Sequence, residues 1–85
     1  MTPGEAAAWM IAEYVRLNQV LYQHHASGWL SDFGSGQTYV DKSGYLRISK
    51  ETLKIFDGLT PDIVYDFGEK FWRKRLPHDK PSRRQ

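Results

Sequence analysis

Residues 62–76, DIVYDFGEKFWRKRL, constrain this chain more than any other stretch. Ile63, Tyr65 and Phe67 alternate with Val64 and Asp66, and a second run of the same kind starts at Phe71. β-branched and aromatic residues at a period of two define strands. Gly68 offers a freely rotating residue for a tight turn between the runs. The pattern predicts a ribbon that carries an aromatic row on each face, so one row must find cover. Pro77 cannot donate to a ladder, and regular structure is expected to end at Leu76.

The rest of the chain supplies that cover. Thr2, Pro3 and Glu5 have the spacing of a capping box with proline in the first helical position. Ala7, Met10, Ile11, Tyr14, Leu17 and Leu21 then recur every three or four residues, predicting an amphipathic helix that ends near residues 17–19. Val20, Leu21 and Tyr22 fit either the end of this helix or a short strand. Residues 24–33 read as a second helix with Ala26, Trp29, Leu30 and Phe33 on one face, stopped by Gly34 and Gly36. Residues 38–40 and 45–48 flank a turn at 41–44 with Gly44 in its left-handed position, predicting a hairpin with Leu46 and Ile48 inward and Tyr45 and Arg47 outward. Ser49 caps a third helix, with Ile48 stapled onto Leu53. Leu53 and Phe56, with Ile55 as a further candidate, form its apolar face, and Gly58 closes it.

The expected architecture is α+β: an N-terminal helical pair, a β-hairpin, a third helix and a C-terminal β-hairpin. Eighty-five residues make one domain. Its globular part is expected over 1–76, followed by a basic, proline-containing tail at 77–85 too polar to pack. The absence of cysteine excludes disulfides and thiolate metal sites. No apolar run approaches the roughly 20 residues of a membrane span, and the start lacks the layout of a signal peptide. A cytoplasmic location, without a membrane partner, is expected.

The net charge of +2 conceals an asymmetry. Residues 70–85 carry seven basic side chains against Asp79 alone, a net of +6, while residues 1–69 carry −4. Basic ends contact nucleic acid or another polyanion in many proteins, yet a solvated, solubilising tail is the commoner use.

With this order of elements in view, GEAAAWMIAEY, LYQ, TYVDKSGYLRISKETLKIF and the closing FWRKRLPHDKPSRRQ resemble a small bacterial family of uncharacterised domains. The resemblance spans nearly the whole chain, is most specific in the closing block, and implies no activity. A second, weaker resemblance is to winged-helix domains, which would make the third helix the reader of a major groove and the final ribbon the wing. About 14 residues separate the second and third predicted helices, whereas a helix-turn-helix uses about 3–4. The presumed reading helix also lacks arginine, asparagine and glutamine, the side chains that most often make bidentate base contacts.

Among candidate sites, Trp72, Arg73, Lys74 and Arg75 interleave an aromatic ring with cations, as single-strand binders do. With Lys70 before them and Arg47 or Lys50 beside them, they would form the binding surface. The competing reading makes Trp72 a core anchor and the cations an edge-strand guard, since neighbouring strand residues point to opposite faces. His24, His25, Asp32 and His78 lack chelating spacing and read as solvated. Asp62 and Asp66 would stand about 13 Å apart on a strand, too far for paired acid–base work. No catalytic, cofactor-binding or metal-binding residue is assigned, and an enzyme is not expected. Trp9, Tyr14, Tyr22, Trp29, Phe33, Tyr39 and Tyr45 exceed what one small core must hide, and exposed Trp and Tyr mark protein interfaces. The expected role is therefore a non-enzymatic protein-interaction or self-associating module, with a homodimer or another protein as partner. A nucleic-acid-binding, winged-helix-like domain is the alternative.

Overall fold

A computed structural model describes residues 1–79. Its elements are α1 (Pro3–Arg16), β1 (Val20–Tyr22), α2 (Gln23–Asp32), β2 (Thr38–Val40), β3 (Leu46–Ile48), α3 (Lys50–Leu59), β4 (Ile63–Asp66) and β5 (Phe71–Lys74). The α+β class and the order of elements agree with the pattern in the sequence. Two antiparallel sheets form, one ordered β1-β5-β4 and the other the β2-β3 hairpin.

The helix starts follow from local chemistry. Thr2 Oγ1 accepts from the Glu5 amide at 3.1 Å, and the Glu5 carboxylate accepts from the Thr2 amide at 2.8 Å. These bonds satisfy two of the amides that a helix start leaves without partners. Ser49 caps α3 in the same way, accepting from the Thr52 amide at 3.2 Å. The helix ends are less regular. Leu17 caps α1, and Asn18 and Gln19 then take left-handed φ values of 61° and 66°. That reversal delivers Val20–Tyr22 to the sheet as a strand. Gly34 and Gly36, with φ of 74° and 76°, stop α2 as expected. Gly58 does not end α3, which continues to Leu59 and is capped at Thr60.

The sheet is held by one cross-strand row. Leu21, Trp72 and Tyr65 face one another across β1, β5 and β4. The Trp72 ring lies 5.0 Å from that of Tyr65 and meets Phe56 of α3 edge-on at 5.5 Å. Ala6, Ala7, Met10 and Tyr14 of α1, Ala26 and Leu30 of α2, and Ile48 of β3 complete the core. α1 packs chiefly on α3. Thr52 is fully buried on α3, whereas Ile55, a candidate for that face, is exposed because its position turns it away from α1. Gln37 joins the layers: its backbone carbonyl accepts from the Ser49 amide at 2.7 Å, and its side-chain oxygen faces the Ser49 hydroxyl at 3.0 Å.

The last ribbon turns differently from expectation. Gly68 keeps an ordinary φ, and Lys70 takes the left-handed conformation at 61°. The Lys70 amide donates to the Asp66 carbonyl at 2.8 Å, and the Asp66 carboxylate accepts from the Glu69 amide at 3.0 Å. The side chain of Asp66 thus shapes the loop and moves the strained position to its end. Of the expected tail, residues 77–79 fold back on β5, and residues 80–85 lie outside the described residues.

A left-handed residue other than glycine costs roughly 1–2 kcal/mol, partly offset in a glycine variant by the entropy that glycine loses on folding. Lys70→Gly is expected to stabilise the fold by about 0.5–1 kcal/mol, a rise of a few degrees in Tm. Lys70→Val is expected to lower Tm. Thermal unfolding of both variants checks the assignment, and a drop for the glycine variant would contradict it.

Candidate functional site

The structure divides the basic residues singled out in the sequence. Trp72 is only 5% exposed, so it anchors the core and presents no face to a base. Arg73, next along the strand, points to the opposite side of the sheet. Its two terminal nitrogens donate to the two Asp79 oxygens at 2.8 and 3.0 Å, and its Nε lies 3.5 Å from Asp66. The Leu76 amide also donates to Asp79. The Arg73 guanidinium and this amide hold the Asp79 carboxyl well below the usual carboxylate range. Arg73 therefore serves as a clasp for residues 75–79. Lys74 is exposed at the end of β5, and the Arg75 amide donates to the Asp62 carbonyl at 2.7 Å.

Three other cations do come together. Arg47 and Lys50 line a cleft of about 400 Å³ between the β2-β3 hairpin, α3 and the three-stranded sheet. Arg47 and Lys70 line a second cleft of about 460 Å³ beside the start of α2. Asp41 positions Arg47: its Oδ2 accepts from Arg47 Nε at 2.8 Å, and its Oδ1 accepts from the Ser43 and Tyr45 amides. Lys70 also brings its ammonium to 5.9 Å from the Phe67 ring centre.

The most conspicuous surface feature lies elsewhere. On α2 and its C-cap, His25, Trp29 and Phe33 stand at intervals of four, one above another along the helix. Trp9 of α1 slots in between, giving a ladder in the order His25, Trp9, Trp29, Phe33. Ring-centre spacings are 6.2, 4.1 and 4.9 Å, and the three larger rings lie within about ten degrees of parallel. Trp29 is 36% exposed and Phe33 61%. The sequence pattern had placed both on the buried stripe of α2; the helix instead buries Ala26, Ser27 and Leu30. A spacing of four sustained over three rings was the signal for a separate aromatic line.

Glu13 clamps the histidine end of the ladder. Its carboxylate accepts from Arg16 at 2.6 and 2.8 Å and stands 2.8 Å from His25 Nε2. His25 is thus engaged by Glu13 and Trp9 rather than simply solvated. Near the ladder, Glu5, Glu13 and Asp32 occupy neighbouring helical positions and Arg16 is the one basic residue on α1.

The described residues form a small α+β fold with an aromatic ladder and cation-lined clefts. The chain belongs to a family of unknown function, DUF6953, whose model matches residues 2–74. The match stops inside the closing FWRKRLPHDKPSRRQ block, so most of that block lies beyond it. No curated protein and no solved structure matches the chain. No described helix is long and apolar enough to cross a membrane.

Arg16 and His25 lower the Glu13 carboxyl from its ordinary 4.5 to about 2. A depressed carboxylate contributes stability above its unfolded pKa and loses it as pH falls through the folded value. Wild type should therefore exceed Glu13→Gln in Tm at pH 6, and the gap should close between about pH 4.5 and pH 2. Parallel thermal melts across that range check this; a pH-independent gap would mean that the clamp is not electrostatic.

Proposed function

We propose that this domain is a non-enzymatic protein-interaction module whose contact surface is the aromatic ladder on α1 and α2. The observation that carries the reading is the stack itself. A small domain that can bury Trp72, Phe56 and Tyr14 nonetheless aligns Trp9, Trp29 and Phe33 at its surface. Flat, stiff rings offer large contact area with little side-chain entropy to lose, which suits the centre of an interface.

The charge around the ladder favours a basic segment of a partner protein. Glu5 and Asp32 flank it, Glu13 being occupied by Arg16 and His25, and the outer ring of the stack, Phe33, is a face on which a guanidinium or another ring can settle. Complementary charge would raise the association rate and select against acidic partners.

Nucleic-acid binding is the second reading. It is favoured by the order helix, strand, helix, helix, ribbon, with β1 closing onto β5, an arrangement resembling a winged helix interrupted by the β2-β3 hairpin. The exposed face of α3 weakens it, since Glu51, Ile55 and Leu59 stand there beside Lys54. The burial of Trp72 and the engagement of Arg73 remove two of its contacts.

The test is light scattering of the full chain, followed by titration with a synthetic peptide of residues 70–85 as a basic aromatic probe and with single- and double-stranded DNA. The interaction reading expects peptide binding that weakens about tenfold or more in Trp29→Ala and Phe33→Ser. A concentration-dependent dimer abolished by Phe33→Ser would support the same surface with a second copy as partner. Binding of DNA alone, released by salt and indifferent to Phe33→Ser, would replace this reading with the second one.

A further inference from the structure

We propose that the cleft between the β2-β3 hairpin, α3 and the β1-β5-β4 sheet is a binding site for a small organic anion built on a planar apolar ring. The cleft, about 400 Å³, falls within the size range of small-molecule sites, roughly 300–1,000 Å³. Its lining includes the apolar Ile48 and Leu53 and the rings of Tyr39, Tyr65 and Trp72. Arg47 and Lys50 add positive charge to that lining.

The positioning of Arg47 gives the site its specificity. Asp41 is fixed by two turn amides and takes only Nε of the guanidinium, at 2.8 Å. Among the described residues neither terminal nitrogen meets an acceptor, and together they form a fork that suits a carboxylate or a phosphate monoester. Tyr39 and Tyr65 line the same cleft as Arg47. An anion held there meets aromatic walls on its apolar side. One anionic group on a one- or two-ring body fits the volume and the Arg47 fork.

The test uses amide-resolved NMR on the full chain, titrated with 2-naphthoate, its neutral amide 2-naphthamide and inorganic phosphate. The expected result is saturable shifts for 2-naphthoate at Tyr39, Ile48, Leu53 and the Trp72 indole, with Kd near or below about 1 mM. The neutral amide and phosphate should each bind at least about tenfold more weakly, because each lacks one half of the recognition. Arg47→Gln should weaken 2-naphthoate by a similar factor, and its unliganded spectrum reports whether the fold is intact. Lys50→Gln provides a second, independent variant on the helix side. Shifts confined to Trp9, Trp29 and Phe33 would overturn the proposal by placing apolar binding on the ladder. So would equal binding of acid and amide, or no saturable shift at up to about 10 mM.

Discussion

The fold depends on the contact between Trp72 and its two neighbours in the sheet, Leu21 and Tyr65. β1 is three residues long and leaves α1 through two left-handed residues, so it has little structure of its own. It becomes a strand because Leu21 is completely buried against Trp72 on β5, about fifty positions along the chain. The same indole meets Phe56, which ties α3 and, through it, α1 to the sheet. Truncating a buried aromatic of this size costs roughly 3–5 kcal/mol, a large share of the stability of a small domain.

That contact also decides what the neighbouring cations can do. In a pleated strand, burying Trp72 turns Arg73 to the other face, where Asp66 and Asp79 surround it. The run of an aromatic and three cations, which looks like one binding motif when written as a line, is split by the pleat into a core anchor and a clasp. The cations that gather around the clefts come from separate elements: Arg47 from β3, Lys50 from α3 and Lys70 from the ribbon loop. Their proximity is a product of tertiary packing.

The parts legible in the sequence were those set by neighbours a few residues apart. The capping box of Thr2 and Glu5, the Ser49 cap, the glycine stop after α2 and the Asp41–Gly44 turn depend on local hydrogen bonds and on φ preferences. The parts that were not legible depend on distant partners. Val20–Tyr22 could be helix or strand until β5 was present to pair with it. Gly68 looked like the turn residue because glycine tolerates any φ, but the Asp66 side chain organises the loop and passes the left-handed position to Lys70. Trp29 and Phe33 matched a helical apolar stripe, and only the packing of α1 on that side shows that Ala26 and Leu30 fill the core before they reach it. The candidate site was accordingly half visible: its residue types could be named, but their grouping could not.

The ladder and the cleft divide the surface chemistry between them. Trp29 is stacked on both faces, by Trp9 and Phe33, so the water-exposed area of the aromatics is smaller than their number suggests. What remains open is the outer face of Phe33 and the ring edges, bounded by acidic positions. The cleft differs, with Arg47 and Lys50 among its lining residues beside the rings of Tyr39, Tyr65 and Trp72. If both proposals hold, the two surfaces select ligands of opposite charge, so a molecule suited to one is disfavoured at the other. That opposition has a structural origin. Glu13 draws Arg16 and His25 toward the ladder's end, and Asp41 orients Arg47 toward the clefts. In each place a carboxylate spends its charge on positioning a neighbour, and the balance of the remaining groups determines the sign that a partner meets.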